Sequence, residues 1–447
     1  MTCEQNIRLR ARRSFQTKLI RLQLDEASFL YDQRRYLLNH DQLSWVDVKQ
    51  NEKRFLKHLW ALEQLSEGRG IDIEELIEDA GALHTAVCLF CRQGHFDRLG
   101  RLIEKVDWTN DDVFWAAADG LKWEAPDTWR NRLVRVFSRH KTRGIDLLSL
   151  VFGYRRWSLR PIFQLLDNGL PMSRALIRAV GRSGGAEGID RLKEVILSDD
   201  DSLKTDASIA LLRWGSFDHV KDVHPYSDPN HWAWLPLGLL GRSGIQERLE
   251  SLVDTAPSAE TLLTLGLLGR PSAVERIIPH TAHEELGKYA SSALQLITGR
   301  NLFETVFIPD KIDLDVLTEE EQARFHQGEP VYGEGKTPGD TVERISKDPC
   351  QWQRFWDENR FRFNPKIPYR LGKPYSPIAP LNTLLSPHFA SFVRALAYEE
   401  TVIRHGVNLV FETDFLVEEQ QRILSTFKQR RDDREETAVR CTGVGRF

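Results

Sequence analysis

Apolar runs closed by a Gly-Arg pair recur through the middle of the chain. They are ALIRAVGRSG ending at Gly184, PLGLLGRSG ending at Gly244, TLGLLGRPS ending at Ser272 and ALQLITGRN ending at Asn301. Their glycines are Gly181, Gly241, Gly269 and Gly299, and a weaker copy, IALLRWGS, adds Gly215. Looser copies upstream, LFCRQG, AAADG and LSLVFG, add Gly94, Gly120 and Gly153. Successive spacings of 26, 33, 28, 34, 26, 28 and 30 residues give a repeat of about 30. Short amphipathic stretches follow several of the glycines, as in HFDRLGRLIEKV, GIDRLKEVIL and IQERLESLVD, with apolar residues at helical spacing. Each unit therefore reads as helix, glycine turn, helix, with the glycine at a helix end where a positive φ is needed. Such a pair cannot bury its apolar face alone, so neighbours must stack into a continuous core. The expected fold class is all-α, a helical-repeat solenoid over residues 81–302.

The flanks follow other patterns. Residues 15–66 read as two helices with a polar break at Asn39–Asp41. Leu22, Phe29, Leu30, Leu37 and Leu38 are assigned to one apolar face, and Phe55, Leu56, Leu59, Leu62 and Leu65 to the other. Residues 1–80 thus form an N-terminal helical cap, the kind of end unit a solenoid needs. After Gly299 the period stops. Residues 303–350 contain four prolines, the stretch YGEGKTPGD and three consecutive acids, Glu319 to Glu321, and read as an acidic connecting segment. A C-terminal helical module is expected over 351–428. QWQRFWDEN forms a helix with Trp352, Phe355 and Trp356 on one side, the Pro-rich IPYRLGKPYSPIAP follows, and two more helices fall near 388–405 and 414–428. The tail 429–447 alternates charges and is expected to fray.

The motif of small and apolar residues, Leu-Gly-Arg and an amphipathic helix, at Gly241, Gly269 and Gly299, resembles HEAT-like repeats of the short bacterial kind first noted in bilin lyases (PBS-lyase type). The whole layout resembles a bacterial family often encoded in type VI secretion gene clusters. Its features here are an N-terminal helical pair, repeats ending in Ile-Thr-Gly, an acidic connection, the Phe355-Trp356 pair, and the element Tyr369, Arg370, Leu371, Gly372, Lys373, Pro374. A helix with Ala397, Tyr398 and Glu399 and a last helix with Gln420 complete it. The resemblance implies a role in secretion and no particular reaction.

Composition narrows the class. The chain has 447 residues, 41% hydrophobic and 28% charged, with a net charge of -4, ordinary values that fit neither disorder nor a membrane protein. Five cysteines are too few for a disulfide scaffold. With no secretory signal and no run of about 18 apolar residues, the expected location is cytoplasmic. Charge is uneven, however. Residues 121–185 hold 13 Lys or Arg against 4 Asp or Glu, a net of +9, whereas residues 186–260 hold 7 against 14, a net of -7. The basic band, with Trp123, Trp129 and Trp157, is the one feature that would suit nucleic acid. Its acidic neighbour would repel a phosphate backbone, so nucleic acid is the secondary reading.

Four short motifs carry possible chemistry. Cys88-x-x-Cys91 with His95 has zinc-type ligands, but the cysteines sit in the apolar AVCLFC and no second ligand pair is spaced to match. Gly181-Arg-Ser183-Gly-Gly185 fits a nucleophile elbow, which requires a preceding strand, while here a helix precedes and the same turn recurs at Gly241. Gly335-Lys336-Thr337 lacks the first P-loop glycine, since Pro330 stands there. His280-x-x-His283 lacks an acidic partner in the H-E-x-x-H pattern. No catalytic, cofactor-binding or metal residues are therefore assigned, and no cofactor is expected. The candidate partner-binding residues are Trp352, Phe355, Trp356, Tyr369, Arg370, Gly372, Pro374, Trp232 and Trp234. Aromatic side chains of this kind serve binding hot spots and fill large gaps between helices equally well.

The expected function is a non-enzymatic protein–protein interaction scaffold, an accessory of type VI secretion acting as effector chaperone, adaptor or immunity protein. Its partner would be a secreted effector or a component of the secretion spike, with no membrane involved. A nucleic-acid binder using residues 121–185 and an enzyme on a HEAT-like scaffold are the alternatives.

Overall fold

The computed structural model describes residues 3–39, 44–66, 72–167, 171–221, 223, 228–309, 317–326, 339–407 and 409–429. It begins with two antiparallel helices, α1 (Cys3–Asn39) and α2 (Val48–Ser66). The core side of α1 is Ile20, Leu24, Ala27, Leu30 and Tyr31. Leu22 and Phe29, assigned to that face from the sequence, lie about half a turn round the helix and are exposed. The α2 face is as expected in Phe55, Leu59 and Leu62, all buried.

Helices then alternate: α3 (Ala80–Gln93), α4 (Phe96–Lys105), α5 (Asp111–Glu124), α6 (Arg130–Phe137), α7 (Lys141–Arg155) and α8 (Arg160–Leu166). After them come α9 (Arg174–Ser183), α10 (Ala186–Leu197), α11 (Lys204–Arg213), α12 (Asp218–Lys221), α13 (Trp234–Leu240) and α14 (Gln246–Thr255). The series ends with α15 (Ala259–Leu268), α16 (Val274–Ile277) and α17 (Gly287–Thr298). Odd-numbered helices pack on one another in chain order, α1 on α3 through to α15 on α17. Several start where a side chain accepts an orphan N–H: Asp79, Asn110, Ser173 and Ser258 cap α3, α5, α9 and α15.

The recurrent glycines divide into two kinds. Gly241, Gly269 and Gly299 end α13, α15 and α17 at φ of 72°, 70° and 68°, as expected. Gly120, Gly153 and Gly181 instead lie inside their helices, contrary to the expected helix end. There, close approach needs them: a Cβ on Gly153 would lie 2.8 Å from Ala179 Cα, and one on Gly181 would lie 3.1 Å from Ala210 Cβ. Gly238 on Thr264 and Gly266 on Ala293 repeat the contact further along the row.

The connecting segment carries structure that its composition hid. β1 (Phe303–Pro309) pairs antiparallel with β2 (Gly339–Ile345), Phe303 opposite Ile345, with α18 (Glu319–His326) between them. Its exposed Phe303, Thr305 and Phe307 have the period of two that marks a strand. Next come α19 (Pro349–Asn359) and a two-residue ladder of β3 (Tyr369–Arg370) with β4 (Lys373–Pro374). The chain then forms α20 (Ala379–Leu385), α21 (Ser391–His405) and α22 (417–429). The α20 helix was not anticipated, because Pro380 falls in its first turn, where proline is tolerated. No helix among the described residues is long and apolar enough to cross a membrane.

Candidate functional site

The C-terminal segment runs back along the carboxyl ends of the odd-numbered helices, from α17 to the α1–α2 pair. Over α5 to α11 those ends carry cations. Lys122 Nζ donates to Asp414 Oδ2 at 2.6 Å and to Asp119 at 2.9 Å. Arg156 Nη2 reaches Glu412 Oε1 at 2.7 Å. Arg182 donates to the same Glu412 oxygen at 2.6 Å and to Glu399 Oε1 at 2.7 Å. Arg213 takes Glu399 Oε2 at 2.6 Å, and its Nε caps α9 through Gly181 O at 2.9 Å. The guanidiniums of Arg182 and Arg213 lie over the Tyr398 ring, 5.1 and 4.9 Å from its centroid.

Over α13 to α17 the helix ends offer bare carbonyl oxygens, and the segment brings the donors. Arg404 donates to Leu239 O and Gly238 O, both at 2.6 Å. Arg370 Nη2 donates to Leu267 O at 3.1 Å and pairs with Glu400 at 3.0 Å, both side chains fully buried. Backbone N–H groups do the rest: Tyr369 to Gly269 O at 2.7 Å, Leu371 to Leu296 O at 2.8 Å and Gly372 to Ile297 O at 3.0 Å. These contacts satisfy carbonyls that a helix end leaves orphaned.

At the far end the segment reaches the N-terminal pair. Arg34 bonds Glu52 at 2.8 Å and Asp414 O at 2.9 Å, and the other Glu52 oxygen accepts from Val417 N at 2.7 Å. Arg394 stacks 3.7 Å from the Trp45 ring centroid and donates to Gln420 at 2.7 Å.

Three titratable groups of this edge have pKa values shifted away from neutrality. Burial would raise Glu399, but the Arg182 and Arg213 guanidiniums outweigh it and hold its pKa at about 2. Burial would lower Lys122, but Asp119 and Asp414 prevail and raise it. Tyr375, whose hydroxyl donates to Glu400 at 2.9 Å, is pushed up to about 12, mainly by burial. Glu399 and Lys122 therefore stay charged at neutral pH, and Tyr375 stays protonated and uncharged.

The residues singled out from the sequence are dispersed and largely internal. Trp234, Trp352, Trp356, Tyr369 and Arg370 are buried. The indole N–H groups of Trp234 and Trp352 donate to Asp228 O and Ser346 O, both at 2.8 Å, and that of Trp356 reaches Glu275 at 3.2 Å. Trp352, Trp356 and Tyr369 share one apolar cluster with Leu262, Leu265 and Ile297 of the repeats. Phe355, Trp232 and Gly372 are half-buried, and Pro374 is exposed. The acids that meet the helix ends, Glu399, Glu400, Glu412 and Asp414, were not assigned a role from the sequence. A partial signal was Arg182, beside the repeat glycine Gly181, which meets two of these acids, whereas Arg242, Arg270 and Arg300 in the same position do not.

The other motifs also have structural surroundings. Cys88 and Cys91 lie in the core face of α3, where burial raises both thiol pKa values. Ser183 ends α9, with helices on both sides of the turn. Gly335-Lys336-Thr337 lies outside the described residues. Many basic residues of the 121–185 band pair with acids: Arg130 and Arg155 with Asp127, Arg132 with Asp97, Arg143 with Asp111, and Arg174 and Arg178 with Asp206. Comparison with family models, curated proteins and solved structures finds no match for the chain.

Proposed function

We propose that this chain is a non-enzymatic scaffold for protein–protein interaction, built as a HEAT-like helical-repeat solenoid and working in the cytoplasm as a type VI secretion accessory. The role is that of effector chaperone, adaptor or immunity protein. One observation carries the reading: among the described residues, the odd-numbered helices stack in chain order through repeated glycine contacts, an arrangement that extends surface rather than enclosing a site. The carboxyl-end edge of that row is taken by the chain's own residues 369–417. Exposed apolar side chains left to a partner are Trp60, Leu197, Trp214 and Phe217. Neutralisation of the basic band by its own acids weighs against the nucleic-acid alternative.

The test is genetic and biochemical. Tagged chain purified from its host under secreting conditions should carry an effector or spike component. A strain lacking the gene should lose delivery of that effector, or protection against it. Unchanged delivery and unchanged protection in that strain would remove the accessory role.

A further inference from the structure

Three segments far apart in the chain close round one small cavity: the first turns of α17, the end of β2 and the turn before α21. The enclosed volume is about 20 Å³, room for one water-sized atom, and it opens to solvent. Packing fixes the walls. Ser291 Oγ donates to Ser346 O at 3.0 Å, which holds the end of β2 on α17. Phe389 is buried in one apolar cluster with Leu296, which holds the turn. A Cβ on Gly287 would lie 3.3 Å from Lys347 Cδ, so the stem of that lysine runs along the start of α17.

The charges round this cavity are of one sign. Lys288, Lys347 and Arg344 line it, and among the described residues no carboxylate does. Arg344 is already neutralised by Glu304 at 2.7 Å. Lys288 and Lys347 have no ion pair among the described residues, and Lys288 Nζ lies 5.0 Å from the Tyr289 ring centroid. Ser292 lines the same cavity and is only 9% exposed. Thr298 of the same helix returns its hydroxyl to Leu294 O, as a hydroxyl inside a helix commonly does. The Ser292 hydroxyl has no partner among the described residues, an unusual state for a buried polar group. We propose that this cavity binds a phosphoryl group, as inorganic phosphate or as the phosphate monoester of a small molecule. Above its second pKa of about 6 a phosphoryl group is a dianion. The two unneutralised lysines match both charges, whereas a carboxylate would match one. One phosphoryl oxygen fills the enclosed space and accepts from Ser292 Oγ, and the others meet the lysines at the opening. The assignment goes beyond the secretion reading and does not rest on it.

Isothermal titration calorimetry of the full chain at about pH 8 and fixed ionic strength tests the proposal. Inorganic phosphate, phenyl phosphate and acetate are each titrated to about 10 mM, which covers a millimolar Kd. One saturable site for phosphate or phenyl phosphate is expected, and none for acetate. Tighter binding of phenyl phosphate identifies the monoester as the ligand, and equal or tighter binding of inorganic phosphate identifies the free ion. Lys288→Gln and Lys347→Gln should each weaken binding about tenfold or more at unchanged helicity, and Ser292→Ala should weaken it less. Lys288 is exposed, so Lys288→Gln keeps the fold even if Lys347→Gln disturbs it. Lys366→Gln, an exposed lysine that does not line the cavity, should leave binding unchanged. The proposal is overturned by the absence of saturable binding of both phosphates, or by acetate binding as tightly. A Kd that Lys288→Gln leaves unmoved, or that Lys366→Gln raises as much, also overturns it.

Discussion

The C-terminal segment crosses the two halves of the helix row by opposite means. Over α5 to α11 the row supplies cations and the segment supplies carboxylates. Over α13 to α17 the row supplies carbonyl oxygens and the segment supplies Arg404, Arg370 and three backbone N–H groups. Part of the difference, between α9 and the later helices, follows from the register of the Gly-Arg pair, while Lys122, Arg156 and Arg213 supply the other cations from outside such a pair. In α9, Gly181 is inside the helix, so Arg182 stands on its last turn and reaches Glu399 and Glu412. In α13, α15 and α17 the glycine is itself the cap, and the arginine falls one residue beyond it. Arg242 then turns to Val220 O, Arg270 to Lys366 O and Arg300 to the Phe355 ring. The same dipeptide displaced by a few residues thus gives α9 a charged end and leaves carbonyl oxygens at the ends of α13, α15 and α17, and the segment complements each.

The sharpest way to break the comparison lies in the carbonyl half. Arg370→Met leaves Leu267 O without its donor and takes from the buried Glu400 its fully buried cation, so that Arg404 at 3.1 Å and the Tyr375 hydroxyl remain its partners. Urea unfolding followed by tryptophan fluorescence should show a loss of about 3–5 kcal/mol. Arg370→Met with Glu400→Met should recover part of it, since the buried carboxylate is gone while Arg404 keeps its bonds to Leu239 O and Gly238 O.

The cationic half should respond to acid. Glu399 has a folded pKa of about 2 against an ordinary 4.5, so the unfolded chain binds more protons between those values. Its stabilisation is complete above about pH 4.5 and is lost as the pH falls towards 2, in total about 3 kcal/mol. Glu399→Gln should flatten that part of the stability–pH curve, and an unchanged curve would show that the two guanidiniums do not hold the carboxylate.

A smaller contrast separates two glycines with the same backbone. Gly269 has φ 70° and an added Cβ would lie 2.2 Å from Tyr369 O, whereas Gly215 has φ 73° and nothing within 4 Å. Alanine at Gly215 should cost about 1 kcal/mol from the left-handed conformation alone. Alanine at Gly269 should cost about 2 kcal/mol more, because the segment must shift. Smallest of all is Lys53→Ala. Its pair with Glu418 is exposed on both sides, so the urea midpoint should stay where it is.

Much of the element order was readable in the chain. The break between α1 and α2, the glycine ends of α13, α15 and α17, and the positions of α19, α21 and α22 all follow from local periodicity and cap chemistry. The α1 face was misassigned because Leu22 and Phe29 look like core residues by type while their angular position is opposite the core. The tryptophans of the C-terminal module drew attention as hot spots, but burial depends on what packs against them, and for Trp352 and Trp356 that is the end of the repeats.

Local sequence by itself determined that the chain is mainly helical and where α13, α15 and α17 end, because caps, glycine turns and apolar spacing act within a few residues. Which arginine meets which carboxylate was decided only by the tertiary structure. Arg182 and Glu412 are 230 residues apart, and Arg34 and Asp414 are 380 apart. No pattern along the chain records such a pairing, because it exists only once the stacked helices have brought their carboxyl ends into one line and the segment has crossed them.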